Sequence, residues 1–308
     1  MHMADALVSP AVAATFGLGT AVTLAAASRQ IRARADDTLT PLMGVTGAFV
    51  FAAQMVNFAI PGTGASGHLG GGLLLAALLG PHAAVLVMAS VLTVQALFFA
   101  DGGLLALGCN IWNLGVYPCF VAWPLVFRPL LGRGSPRRLL VASLAAGVVG
   151  LQLGAFSVVV QAELSGQAGL PFVPFVLAMQ PMHLAIGIVE GLVTAAVLRH
   201  VAQARPGSQY GGLSGAPGLG VKSSGLAALA LATLAVGGGL SYLASTRPDG
   251  LEWSVAKVGG DLASATRAWP MAKPWASLAG LVGAALVLAL AMGLGVVVRV
   301  GKRKPAGR

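Results

Sequence analysis

The chain has 308 residues, of which 56% are hydrophobic and only 9% are charged, and its mean hydropathy is +0.84. Soluble domains carry about 25% charged residues, so this composition excludes a soluble globular protein and predicts an integral membrane protein. The net charge of +10 does not indicate a nucleic-acid partner, because its distribution along the chain is explained by membrane topology.

Met1 and His2 precede the first strongly apolar stretch. A free amine, the amide nitrogen of His2 and its imidazole can chelate one ion through five- and six-membered rings. Such a chelate suits a tetragonal or square-planar ion such as Ni2+ or Cu2+. The bulky second residue also predicts that Met1 is retained. A surface histidine without a ligand is the alternative at this point.

Apolar segments of about 18–24 residues predict membrane-spanning helices rather than the shorter alternating strands of a barrel. The third segment is short and glycine-rich, which predicts a partial or buried helix. With the N-terminus outside, 15 of the 19 Lys and Arg residues fall on the inner side, so we expect a cytoplasmic C-terminus. The segments lie at 10–28, 42–60, 69–80, 82–99, 104–127, 139–161, 180–198, 224–244 and 276–298.

The segments fall into two groups. Residues 1–200 hold seven of them, residues 201–222 are rich in Gly, Ser and Pro, and residues 223–308 hold the other two. Such a composition is typical of a flexible linker. We therefore predict an all-α integral membrane protein, in which a seven-helix bundle is joined by a cytoplasmic linker to a two-helix module.

A polar, glycine-dense loop runs from Gln54 to Gly72 between two apolar segments. Irregular backbone near membrane depth is tolerated only where it is buried in protein or lines a cavity. His68 lies near the end of this loop, on the same predicted side as His2, so its imidazole can complete a plane of four nitrogens. A loop histidine that caps the following helix is the alternative.

A second polar cluster comprises Gln95, Asp101, Asn110 and Asn113, at the next predicted outer turn. Amides and carboxylates are costly inside a helix bundle unless they are paired. These side chains either orient the ligating imidazoles or form hydrogen bonds between helices, and the sequence leaves both interpretations open.

Glu190 lies within an apolar span, where an ionisable group is a functional candidate. His183 precedes it by seven residues, which places the two about 10 Å apart along one helix face. That separation is too long for both to bind one ion unaided, so we expect structural or coupling roles for them.

Together these segments resemble the CbiM/NikM family, the substrate-capturing membrane subunits of energy-coupling-factor importers for cobalt and nickel. The resemblance covers most of residues 1–200 in order. The matching text is Met1-His2 with Asp5, Gln54-x-Val-Asn57-Phe, Gly62-Thr-Gly-Ala-Ser66-Gly-His68, the stretch from Gln95 through Asp101 to Asn110, and His183-Leu-Ala-Ile-Gly187-Ile-Val-Glu190.

The resemblance implies a bundle whose N-terminal loop enters a metal pocket, with Met1, His2 and His68 as the ligands. It also implies Ni2+ or Co2+ as the transported substrate, and partners similar to the coupling subunit CbiQ/NikQ and the ATPase CbiO/NikO, in a bacterial cytoplasmic membrane. The residues expected to support the ligands are Asp5, Asn57, Ser66, Gln95, Asp101 and Asn110.

Two details qualify the resemblance. Met3-Ala4-Asp5-Ala6 replaces the usual Ile-Pro-Asp-Gly, so the loop lacks a stiffening proline and a glycine turn. Pro248-Asp249-Gly250-Leu251-Glu252 resembles the small CbiN/NikN component, which is thought to help load metal. Its charged loop is either part of that process or a solvated connector.

The sequence thus predicts a nickel-capturing importer subunit that is not an enzyme. Nickel is favoured because low-spin d8 Ni2+ prefers a plane of four nitrogens, and cobalt is the alternative substrate. The rival from another class is an intramembrane metalloenzyme using His183 and Glu190, although the chain lacks the His-Glu-x-x-His arrangement of such enzymes. A structural membrane subunit without a ligand is the third possibility.

Overall fold

The structure is a computed structural model that describes residues 1–33, 38–203, 223–260 and 273–300. The first part of the chain forms α1 (Pro10–Ala33), α2 (Leu39–Gln54), α3 (Gly72–Leu79), α4 (Pro81–Phe98), α5 (Leu107–Ile111), α6 (Arg128–Leu131), α7 (Pro136–Ser165) and α8 (Phe172–Gln203). A π-helical stretch, Trp112–Phe127, joins α5 to α6 into one rod. The second part forms α9 (Ser223–Gly238), α10 (Gly250–Lys257) and α11 (Lys273–Val300).

The architecture confirms the predicted all-α membrane class. Seven helical stretches in the described ranges are long and apolar enough to cross a membrane. Two further apolar helices of the first part are shorter: α2 has 16 residues and α3 has 8. The short third segment expected from the sequence is therefore α3, and all of its residues are buried.

Two predicted helix ends are wrong. The segment 42–60 was expected to be helical throughout, but α2 ends at Gln54 because the chain beyond it forms a small hairpin. In this hairpin β1 (Phe58–Ala59) pairs antiparallel with β2 (Ser66–Gly67). The segment 180–198 belongs to a helix that begins at Phe172, and Pro181 lies inside that helix.

The glycine-rich chain after β2 descends into the bundle. Glu190, at the middle of α8, accepts hydrogen bonds from the backbone N–H groups of Gly70 at 2.8 Å and Gly71 at 3.0 Å. Gly71 has a φ of 78°, which suits glycine, and α3 starts directly after it. A carboxylate at a helix N-terminus satisfies N–H groups that have no partner within the helix. The loop therefore enters the bundle as far as Glu190, and the short α3 spans only the rest of the bundle beyond that point.

Helices α7 and α8 pack closely through glycines. A Cβ atom on Gly147 would lie 2.8 Å from the carbonyl oxygen of Gly187 and 2.9 Å from the amide nitrogen of Gly191. Small residues spaced four apart allow two helix backbones to approach closely in a membrane. This contact fixes the helix that carries His183 and Glu190.

The second part of the chain packs against the first. Helix α11 lies on α2, where Gly44 faces Met292 and Gly47 faces Val287. At one end of the bundle, the segment before α10 meets the hairpin: the Ser66 backbone N–H donates to the carbonyl of Pro248 at 2.8 Å. We call this the site end, and it gathers residues 1–9, 55–69, 100–106 and 244–260.

The predicted division into residues 1–200, 201–222 and 223–308 stays a prediction. Helix α8 continues to Gln203, so its last three residues fall within the predicted linker. The rest of the predicted linker, residues 204–222, lies outside the described residues, as do residues 261–272 and 301–308.

Candidate metal site

The N-terminal segment is inserted into the site end of the bundle. Met1, His2 and Met3 are 4%, 8% and 0% exposed. Asn110 holds this segment from both sides, since its Oδ1 accepts from the Met3 backbone N–H at 2.7 Å and its Nδ2 donates to the Met3 carbonyl at 3.1 Å. The predicted support residue Asn110 thus fixes the backbone next to His2 rather than an imidazole.

Asp5 anchors the next part of the segment. Its Oδ1 accepts a hydrogen bond from the Ala106 backbone N–H at 3.0 Å. Gly103 donates its N–H to the Met3 carbonyl at 2.8 Å, and a Cβ atom on Gly103 would collide with Asp5. These contacts hold a loop that lacks the proline and glycine of the usual family pattern.

The Met1 side chain fits a space opened by a glycine. A Cβ atom on Gly154, in α7, would lie 3.2 Å from the Met1 sulfur. Asn113 lies nearby, donates to Gln161 at 2.8 Å and approaches the Met3 sulfur at 3.8 Å. Asn113 therefore takes part in hydrogen bonds between helices, which is the second of the two interpretations left open by the sequence, and it also touches the N-terminal segment at Met3.

His2 and His68 lie side by side although 66 positions separate them in the chain. Their ring centroids are 4.9 Å apart and the ring planes are inclined at 42°. His68 Nδ1 lies 3.0 Å from the Leu69 carbonyl. A carbonyl can only accept, so Nδ1 carries the proton and Nε2 of His68 is left with a lone pair for a metal.

The His2 ring is held by a carboxylate. His2 Nδ1 lies 2.6 Å from Asp101 Oδ1, and His2 Nε2 has no hydrogen-bond partner among the described residues. The six-membered chelate expected from the sequence uses Nδ1, the atom that faces Asp101. An ion that binds in this way must therefore displace the carboxylate, and the ring must turn.

The electrostatics of the pocket favour a neutral imidazole at His68. Burial lowers the pKa of His68 to about 4, and the neighbouring His2 and N-terminal amine act in the same direction. For Asp101, burial alone would raise the pKa, but the contact and hydrogen bond with His2, together with His68 and the N-terminal amine, hold the pKa well below its usual range. At neutral pH the pocket thus contains an unprotonated imidazole beside an ionised carboxylate.

Asp249 is a site residue that sequence reasoning missed. Its Oδ2 forms an ion pair with the Met1 amine at 3.4 Å, while its Oδ1 caps α10 by accepting from the Glu252 backbone N–H at 2.7 Å. Burial raises the pKa of Asp249, but the Met1 amine, the Glu252 backbone N–H and the neighbouring His68 and His2 together lower it below its usual value. The motif around Asp249 was visible in the sequence, but its contact with a residue 248 positions away was not.

Three of the predicted support residues hold the frame of the site rather than its ligands. Ser66 Oγ donates to the Arg247 carbonyl at 2.8 Å, and the Asn57 carbonyl accepts from the Ser245 N–H at 2.8 Å. Gln95 donates to Gln54 at 2.8 Å, and Gln54 in turn donates to the Gly70 carbonyl at 2.7 Å. Among the six support residues, Asp101 is the one that the described contacts show hydrogen-bonded to a ligand ring.

A small cavity, with room for about one water molecule, lies beside the N-terminus, and Met1, His68, His183 and Asp249 are among the residues that line it. Within the described ranges, no cluster of three His, Cys, Asp or Glu side chains could hold a metal ion. A site built on Met1, His2 and His68 differs from such a cluster because two of its four nitrogens belong to the backbone.

Comparison with known proteins identifies the family. Residues 2–208 match the family model CbiM, described as a cobalt uptake substrate-specific transmembrane region, and residues 223–276 match the PDGLE domain. The chain is 39% identical over 208 residues to a putative metal transport protein of Haloquadratum walsbyi, covering 67% of this chain and 92% of that protein. It is 37% identical over 208 residues to a putative fused nickel transport protein NikMN of Archaeoglobus fulgidus, covering 67% of each.

A further relative and a solved structure agree with this result. The chain is 30% identical over 242 residues to the cobalt transport protein CbiM of Geobacter sulfurreducens, covering 75% of this chain and 68% of that protein. The crystal structure of a truncated transition metal transporter matches with a TM-score of 0.57 and 30% identity, covering 67% of this chain and all of that one. The resemblance predicted from the sequence is confirmed: the chain belongs to the CbiM family of metal-transport membrane proteins and carries a PDGLE domain in the same polypeptide.

Proposed function

We propose that the chain is the substrate-capturing membrane subunit of an ATP-driven nickel importer of the energy-coupling-factor type. The observation that carries this proposal is the convergence of Met1, His2 and His68 at the site end: Met1 and His68 line one cavity, and the His2 and His68 ring centroids are 4.9 Å apart. The amine, the His2 amide and the two imidazoles supply four nitrogens for one divalent ion. The step is capture of an ion and involves no chemical conversion.

The choice of ion follows from the donor set. Four nitrogens in a plane favour Ni2+, and imidazole suits nickel and cobalt alike, so cobalt is the alternative substrate. Relatives named for nickel and for cobalt transport occur at similar identity. Deprotonation of the His2 amide requires a strongly polarising ion, and metal binding of this kind releases protons.

The membrane orientation is part of the proposal. Arg32, Arg128 and Arg138 lie at the end of the bundle opposite the site, whereas Arg247 and Lys257 lie at the site end. Basic residues are retained on the cytoplasmic side, so we place the site on the extracytoplasmic face of a bacterial inner membrane. Several other basic residues of the sequence-based count, among them Arg205, Lys222 and Lys302, lie outside the described residues.

The partners follow from the resemblance. A coupling subunit similar to CbiQ/NikQ and an ATPase similar to CbiO/NikO are proposed to supply the energy from the cytoplasmic face. The exposed apolar side chains of α1, such as Leu18 at 68% and Val22 at 61%, provide surface for lipid or for such a membrane-embedded partner.

Calorimetric titration of the purified full chain with Ni2+ and Co2+ tests the capture function. We expect one ion per chain, tighter binding of Ni2+, and at least about tenfold weaker binding in His68→Ala, because that variant loses a ligand. His200→Ala is the matched control, since His200 is exposed at the far end of α8. Unchanged affinity in His68→Ala would refute the proposed ligand set.

The ion pair of Asp249 gives a second prediction. Asn retains the N-cap of α10 but removes the negative charge beside the Met1 amine, so Asp249→Asn is expected to bind Ni2+ about tenfold more weakly. Lys257→Gln is the control, because Lys257 is exposed at the end of the same helix. If Asp249→Asn bound Ni2+ as tightly as the native chain, the PDGLE segment would have no electrostatic part in capture.

The metalloenzyme alternative is disfavoured by the position of Glu190. Its two oxygens accept hydrogen bonds from Gly70 and Gly71, so the carboxylate already holds the glycine loop in place. The family to which the chain belongs is a transport family, which agrees with a subunit that binds an ion rather than an enzyme.

A further inference from the structure

His183 presents an unused lone pair inside the bundle. The side chain is 1% exposed, and its Nδ1 lies 2.8 Å from the Met179 carbonyl. Because a carbonyl only accepts, Nδ1 carries the proton and Nε2 has the lone pair. No hydrogen-bond partner of Nε2 exists among the described residues. Leaving a buried acceptor unpaired costs about 1–3 kcal/mol, so this atom calls for an explanation.

The ring is held firmly in place. Helix α8 is packed on α7 through Gly187 and Gly191. On the other side, a Cβ atom on Gly250 would lie 3.3 Å from His183 Cε1 and 3.4 Å from Ile186 Cδ1, so the start of α10 rests against the ring edge. Neither contact supplies a hydrogen-bond donor, and the orientation of the ring is therefore fixed without satisfying Nε2.

The cavity beside the N-terminus connects His183 to the proposed capture site. Met1, His68 and His183 line the same small cavity, and Gly70 lines it as well. Gly70 is bonded to Glu190, which lies seven residues further along α8. A neighbouring cavity of similar volume is lined by Leu69, Gly71 and Glu190. His183 therefore borders the same space as two of the proposed ligands, Met1 and His68.

We propose that Nε2 of His183 is the next donor for the captured ion, the position that receives Ni2+ or Co2+ when it leaves the Met1–His2–His68 site. The inference rests on the proposed function. Imidazole nitrogen is a good ligand for both ions, and a single protein nitrogen with water completing the coordination holds an ion only weakly. A position of this kind receives an ion from a stronger site when that site opens, and then releases it.

The test separates capture from transfer. Uptake of radioactive nickel is measured in cells that produce the complete importer, and the Ni2+ affinity of each purified full chain is measured by calorimetry. His183→Leu is expected to keep its affinity within threefold of the native chain but to lose at least tenfold in uptake. His183→Cys offers a sulfur donor in place of the nitrogen and is expected to recover a large part of the uptake. His200→Leu, at the exposed end of the same helix, is expected to change neither quantity.

A second variant leaves His183 itself unchanged. Gly250→Val places methyl groups beside the His183 ring and narrows the cavity, so it is expected to reduce uptake while Ni2+ capture persists. Equal uptake in His183→Leu and His183→Cys would overturn the proposal, because the side chain would then act through its shape. Loss of capture in every His183 variant would also overturn it, since His183 would then belong to the frame of the capture site. Absence of Ni2+ binding by the native chain would instead overturn the proposed function.

Discussion

One extra residue placed before Met1 is expected to weaken Ni2+ binding by at least about hundredfold, because it removes a ligand and also displaces its neighbours. The Met1 amine is buried in the site end, 3.4 Å from Asp249, and its side chain occupies the space at Gly154. An added residue turns the amine into an amide, which is a poor donor. It also has no room in a pocket where Met1 is only 4% exposed.

Calorimetric titration of the extended and native chains with Ni2+ measures this effect. The same residue added after Arg308 serves as the control, and it is expected to leave the affinity unchanged. Thermal unfolding of both proteins checks that the bundle remains intact. Native-like affinity in the N-terminally extended chain would exclude the amine as a ligand and with it the proposed coordination.

Glu190→Ala is expected to lower the free energy of unfolding by about 2–6 kcal/mol, since two backbone N–H groups lose their partner at about 1–3 kcal/mol each. These groups belong to Gly70 and Gly71, and water is scarce at this depth of a membrane protein. His68 lies two residues before Gly70, so release of the loop also moves a proposed ligand. We therefore expect Ni2+ binding at least about tenfold weaker than in the native chain.

Thermal unfolding in detergent and calorimetric titration measure the two consequences. Glu190→Gln keeps an oxygen acceptor and is expected to show a smaller loss of stability, with Ni2+ binding largely intact. Glu163→Gln, at an exposed position near the end of α7, controls for the loss of a carboxylate. If Glu190→Ala unfolded at the native temperature, the hydrogen bonds to the glycine loop would have no structural importance.

Local patterns in the sequence predicted most of the fold. Hydrophobic length identified the long helices, and the glycine content of residues 69–80 identified the short α3. The end of α2 was not predictable, since Phe58 is apolar enough to extend a helix and its pairing with Gly67 depends on the turn between them. The start of α8 was placed too late because Pro181 is a usual helix boundary, whereas here the proline is tolerated inside the helix.

The candidate site was predictable only where motifs point to it. Met1, His2 and His68 were proposed from donor chemistry and from family motifs, and the structure brings the two imidazoles within 4.9 Å. The roles of the surrounding polar residues were not predictable, because each role depends on long-range packing. Gln95 acts through Gln54, and Asp249 reaches the amine from the far end of the chain. The spacing of residues in the sequence does not reveal such long-range contacts.

The packing of the second part of the chain, α9 to α11, has a consequence for biogenesis. Ribosomes deliver helices α1 to α8 before α9 to α11 exist, so the surface of α2 around Gly44 and Gly47, which α11 later covers, first faces lipid. During that interval Asp249 has not yet been synthesised, so the Met1 amine lacks the carboxylate with which it later forms an ion pair. The ion pair between the Met1 amine and Asp249 can therefore form only after translation has nearly finished.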